Sequence, residues 1–138
     1  MDYSTFNKKT FHIGKDSTLP ELKYPLIDKI REMYDISDDM LDNVAITFSM
    51  IDVDTGLYRI ANEPASLVIN KDRQQFPDEI KYTLVYRFTL KDTRKAGNYL
   101  GEFVLDIMGG EYCGKIKFPI NGYIDIHISD SITKTTII

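Results

Sequence analysis

The stretch from Glu79 to Lys91, EIKYTLVYRFTLK, constrains this chain most. Ile80, Tyr82, Leu84, Tyr86, Phe88 and Leu90 fall on one side of a pleated strand, and Lys81, Thr83, Val85, Arg87, Thr89 and Lys91 on the other. Alternation of this kind has the period of a half-buried antiparallel strand and not of a helix. So large an apolar face needs a second sheet to cover it, which predicts a β-sandwich.

The rest of the chain reads in the same period. Lys9 to Ile13 is a short strand with Phe11 and Ile13 on one face, closed by the turn Gly14-Lys15-Asp16-Ser17. Leu19 to Ile27 is extended, but Pro20 and Pro25 cannot donate to a ladder, which places it at a sheet edge or bulge. Asp28 to Tyr34 is the one place where a helix competes: Ile27, Ile30, Met33 and Tyr34 have helical spacing and Asp28 is a candidate N-cap. Asp35 to Asn43 reads as an acidic connector. Strands follow from Val44 to Met50, Gly56 to Ala61, Ala65 to Asn70 (with the break at Glu63-Pro64), Tyr99 to Met108, Lys115 to Pro119 and Tyr123 to Ser129. Asp52 to Gly56, Lys71 to Asp78 and Gly109-Gly110-Glu111 are the loops between them. The expectation is one all-β domain of about seven to nine strands, with one short helix or insertion near residues 28–42 and flexible or partner-docking ends at residues 1–8 and 131–138.

With 138 residues, 43% hydrophobic and 28% charged, the chain has the size and composition of a single globular domain. A net charge of −4 argues against a nucleic-acid partner. No apolar run reaches the roughly 20 residues that span a bilayer, and Met1 to Thr10 has no signal-peptide apolar region. The expected compartment is the cytoplasm where the chain is made, which the chain leaves inside an assembly or by lysis.

No catalytic constellation emerges. Asp52-Val53-Asp54-Thr55-Gly56 begins like a calcium loop, but Gly56 stands where a ligand should be and the flanks are strands, so it reads as a hairpin turn. His12 and His127 have no Cys or His at metal-ligand spacing and sit opposite the apolar set, which makes them surface residues. Cys113 reads as a buried or semi-buried structural thiol. The loop acids Asp38, Asp39, Asp42, Asp78 and Glu79 read as solvated. Tyr58, Tyr112 and Tyr123 are candidates for sugar stacking, although the chain has no Trp. Neither a catalytic residue, a metal ligand nor a cofactor is expected.

Asp92 to Phe103, DTRKAGNYLGEF, is the most informative motif. Asp92, Gly97, Tyr99 and Gly101 resemble the corner of the immunoglobulin fold, where a Tyr two residues before the second Cys bonds back to the preceding backbone. Gly101 stands in the place of that Cys, and the buried Trp is missing, so the resemblance implies an Ig-like sandwich without the antibody disulfide.

A wider likeness runs from about residue 10 to 132. FHIGKDSTLPELKYPL, then VAITFSMIDVDTGLYRIANEPASLVI, then YTLVYRFTLKDTRKAGNYLGEFVLDI, then IKFPINGYIDIHISDSI follow the order of the Ig-like N-terminal domain of phage baseplate upper proteins. The chain also resembles related small virion proteins of the tail or neck of tailed phages, including crAss-like phages. The resemblance implies a non-enzymatic domain that docks to other virion proteins. In that family a fibre or receptor-binding part follows the domain. Here the sequence stops at Ile138, which favours an adaptor or ring subunit present in several copies. Tyr3, Phe6, Ile30, Met33, Tyr34, Ile132, Ile137 and Ile138 are the expected interface residues, and Asp28–Asn43 an expected contact loop. The alternatives are a capsid decoration protein and, in another class, a carbohydrate-binding module.

Overall fold

The computed structural model describes residues 10–69, 80–108 and 113–131. Nine strands and two short helices are found among them: β1 (Phe11–Gly14), β2 (Leu22–Ile27), α1 (Asp28–Met33), α2 (Asp38–Asp42), β3 (Val44–Asp52), β4 (Tyr58–Pro64), β5 (Ser66–Ile69), β6 (Ile80–Tyr86), β7 (Gly97–Ile107), β8 (Gly114–Phe118) and β9 (Ile124–Ser129). One sheet has the order β1-β9-β7-β3-β4 and the other β2-β6-β5. The long strand β7 pairs along one side with β3 from Tyr99 to Ile107; on its other side Gly97–Gly101 pairs with β9 and Phe103–Ile107 with β8. This distribution of strands between two facing sheets, with a Tyr-bearing corner leading into β7, is that of an Ig-like β-sandwich.

The alternation seen in the sequence decides which residues face inward. Ile46, Phe48 and Met50 of β3, Phe103, Leu105 and Ile107 of β7, and Ile124, Ile126 and Ile128 of β9 are buried. They meet Tyr24 and Leu26 of β2 and Tyr82, Leu84 and Tyr86 of β6 from the opposite sheet. Phe48 sits at the centre, stacked on Tyr86 with ring centroids 4.6 Å apart and tilted against Phe103 at 5.0 Å. Gly101 lies in the inward phase of β7 directly under it. A Cβ at Gly101 would stand 2.7 Å from Phe48 Cζ and 2.8 Å from Ile126 Cδ1, so the position that carries Cys in antibody domains is here filled by its neighbours.

Several expectations are corrected. The strand beginning near Glu79 ends at Tyr86, not Lys91: Phe88 stays buried but Leu90 is exposed, because the chain leaves the sheet to form the corner. The sheets are not wholly antiparallel, since β1 pairs with β9 in parallel. There are two short helices rather than one. The segment Asp35–Asn43 contains α2, whose N-cap is Ser37. Asp28 is not the N-cap of α1 but its first residue, and Ile27 occupies the cap. The break at Glu63-Pro64 falls instead at Ala65: β4 runs to Pro64, opposite Thr47, with a register shift where the Asn62 N–H bonds to Ser49 Oγ at 2.9 Å. The chain then crosses to the other sheet as β5. Cys113 is exposed, not buried, with its Sγ 3.9 Å from the Met108 carbonyl oxygen.

Candidate docking site

Two of the corner residues, Asp92 and Tyr99, are engaged by side-chain hydrogen bonds. The Tyr99 hydroxyl donates to the Lys95 carbonyl at 2.6 Å, four residues back, and its ring is buried. Burial raises the phenol above its ordinary pKa. The Asp92 carboxylate is buried and accepts from the Tyr86 hydroxyl at 2.7 Å and from the Thr89 N–H at 2.9 Å. Thr93 Oγ1 donates to the Ser17 carbonyl at 2.8 Å, and the Asp16 N–H to the Thr93 carbonyl at 3.0 Å. Arg59 from β4 adds donors to the Lys91 and Asp92 carbonyls. These bonds join the β6–β7 connection to the β1 turn and to β4. Asp92 and Tyr99 therefore tie the corner to the sandwich, and their side-chain polar atoms are engaged in that.

The Asp52 turn is engaged in the same way. One carboxylate oxygen accepts from the Asp54 N–H at 2.9 Å and the other lies 3.1 Å from Lys95 Nζ, while Gly56 takes a φ of +71°. The Lys95 hydrogen bond, with the Asp54 N–H behind it, lowers the Asp52 pKa.

Two of the exposed large apolar residues, Met33 and Tyr34, stand where α1 leaves β2. Ile27 ends β2 in the core, so the helix that follows lies against the sandwich through Ile30, while Met33 and Tyr34 at its C-terminal end are 61% and 49% exposed. Across from them stand Tyr24, Phe118 and Ile120, which with Ile30, Met33 and Tyr34 line an apolar groove of about 150 Å³. The Tyr24 phenol is pushed up to about 12 by burial. On β8 Lys117 Nζ stands 4.4 Å from the centre of the half-exposed Tyr123 ring. A second cleft of about 370 Å³ shares Tyr24 and continues past Leu22, Pro25, Pro119 and Ile124 to Phe11.

Charge fixes the helix that carries the groove. Arg31 on α1 reaches Asp28 at 2.9 Å and Asp38 at 2.7 Å, and Asp38 accepts a second cation, Lys81 of β6, at 2.7 Å. The Arg31 guanidinium also lies 5.0 Å from the centre of the Tyr82 ring. Lys81 first, then Arg31, hold the Asp38 carboxyl below the usual carboxylate range.

Of the expected interface residues, Ile30, Met33 and Tyr34 come together on this groove; Tyr3, Phe6, Ile132, Ile137 and Ile138 lie outside the described residues. Tyr24, Phe118 and Ile120 were missed as groove residues. Nothing local in the sequence says that the sandwich opens at that point. Tyr58 and Tyr123 are exposed as expected, at separate places in the chain. Among the described residues no group of three or more His, Cys, Asp or Glu is placed to hold a metal ion, and no helix is long and apolar enough to cross a membrane.

The chain is thus an Ig-like β-sandwich domain whose polar corner is structural and which carries an apolar groove between α1 and the β8–β9 connection. No protein-family model matches the chain, and no curated protein or solved structure matches it.

Proposed function

We propose that this protein is a non-enzymatic virion component of a tailed phage, an adaptor or ring subunit of the tail, neck or baseplate. It works by docking to neighbouring virion proteins and to further copies of itself. The observation that carries the reading is the groove: Met33 and Tyr34 expose large apolar surface at the end of a helix whose Arg31 pairs with Asp38, which in turn pairs with Lys81 of β6. The ordered likeness of the four sequence blocks to phage Ig-like domains supports the kind of partner. Repeated copies in a closed ring add weak contacts together, so one modest groove per subunit is enough.

The test replaces Met33 by Asp and Tyr34 by Ser together and supplies the variant during infection. Both side chains are exposed, so the variant folds, which circular dichroism verifies. Incorporation into particles falls at least about tenfold, the effect of losing roughly 1.4 kcal/mol per site. Incorporation equal to wild type overturns the docking role of the groove. Antibody labelling of particles in the electron microscope then gives the position: label at the tail or neck supports the adaptor, label over the head supports capsid decoration, and particles without label overturn the virion reading.

A further inference from the structure

The parallel pairing of β1 with β9 places His12 directly opposite His127. Phe11 and Ile13 on one strand and Ile126 and Ile128 on the other turn inward, so both imidazoles stand on the outer face of the sheet. Their ring centroids are 5.8 Å apart with planes at 71°. On the far side of His127, in register across the β9–β7 pair, stands Asn98, whose Oδ1 lies 2.9 Å from His127 Nδ1. With Asn98 Oδ1 as the acceptor of this bond, the tautomer it selects is the one protonated at Nδ1, in which Nε2 is the nitrogen open to a metal. A carbonyl behind one ring nitrogen and a bare lone pair on the other is the arrangement that prepares a histidine for a metal.

We infer that His12 and His127 form a two-imidazole site for a divalent transition-metal ion of the zinc class, positioned by Asn98 and closed across the β1–β9 seam. Zn–N bonds are about 2.0–2.1 Å long, so two imidazoles with centroids 5.8 Å apart share one ion once the exposed His12 ring turns its nitrogen toward it. Water completes the coordination. Imidazole pairs suit Zn²⁺, Cu²⁺ and Ni²⁺ and do not suit Ca²⁺ or Mg²⁺, which take oxygen ligands. The ion ties down β1, which among the described residues ends the sheet and pairs with β9 at four positions, Phe11 to Gly14. It thereby stabilises the folded state by mass action, since the two histidines are far apart in the unfolded chain. This inference is independent of the virion reading.

The experiment is thermal unfolding of the full chain with and without Zn²⁺, followed by NMR of the imidazole nitrogens. Saturating Zn²⁺ raises Tm by about 4 °C, the chelator EDTA reverses it, and Zn²⁺ shifts Nε2 of both His12 and His127. His12→Ala and His127→Ala each abolish the rise, Asn98→Ala weakens it, and Cys113→Ser leaves it intact. No rise at millimolar Zn²⁺ overturns the site, as does a rise that survives in His12→Ala or disappears in Cys113→Ser. His12 is exposed, so His12→Ala keeps the test decisive should His127→Ala fold poorly.

Discussion

At the scale of single residues, two positions in β7 divide the work that a disulfide does in antibody domains. Gly101 lets Phe48 and Ile126 close over the strand, and Tyr99 ties the corner to it. Gly101→Ala forces a methyl group to within 2.7 Å of a ring that has no room to move, as Phe48 is fully buried. Overpacking of this kind costs about 1–3 kcal/mol, read as a lower urea midpoint at unchanged slope. Tyr99→Phe removes one hydroxyl and leaves the Lys95 carbonyl without its donor, at a cost of about 1–2 kcal/mol. Tyr58→Phe is the control: the side chain is 69% exposed, and its loss changes stability by less than about 0.5 kcal/mol. Equal effects for Tyr99→Phe and Tyr58→Phe would remove the corner from the account of stability.

At the scale of elements, α1 and α2 depend on Asp38, which receives both Arg31 of α1 and Lys81 of β6. Its folded pKa is depressed by those cations. A depressed carboxylate contributes stability above its unfolded pKa of about 4 and loses it as the pH falls through the folded value. Asp38→Asn therefore lowers stability at pH 7 slightly, the pair being half exposed, and flattens the acid limb of the stability curve. Denaturant unfolding at several pH values between about 5 and 2 checks this; an unchanged acid limb would count against it. Elements also show what was legible beforehand. Strands with a period of two and a buried face, such as β3, β7 and β9, were readable because local alternation and tertiary burial agree. The end of β6 was not, because Arg87 to Lys91 continue the alternation while the bonds of Asp92 and Thr89 pull the chain into the corner. α2 was hidden in an acidic run, although Ser37 before Asp38-Asp39 is an N-terminus signal. Ile30, Met33 and Tyr34 were legible as one helix face. The opposite wall of the groove, and the meeting of His12 with His127, depend on pairings between distant segments, which local pattern does not encode.

At the scale of the whole molecule, the two sheets close over phenols. Tyr24 comes from β2, Tyr82 and Tyr86 from β6, and Tyr99 from β7; all are buried, and burial raises the pKa of each. Tyr24 reaches about 12, and Tyr86 is raised further still because its hydroxyl also donates to the Asp92 carboxylate. A group whose pKa is higher folded than unfolded contributes stability below its unfolded pKa, about 10 for Tyr, and loses that contribution as the pH rises through the folded value. The sandwich therefore weakens between about pH 10 and 12, with ionisation of these phenols coupled to opening of the interface between the sheets. Tyrosinate absorbance and circular dichroism, followed together up the pH scale, test the coupling: part of the absorbance change coincides with loss of β structure. Tyr24→Phe flattens the fall in stability across that window, whatever it costs at neutral pH. If every tyrosine ionised near its ordinary pKa while the β signal persisted, the phenols would be accessible to water and the closed core described above would be wrong.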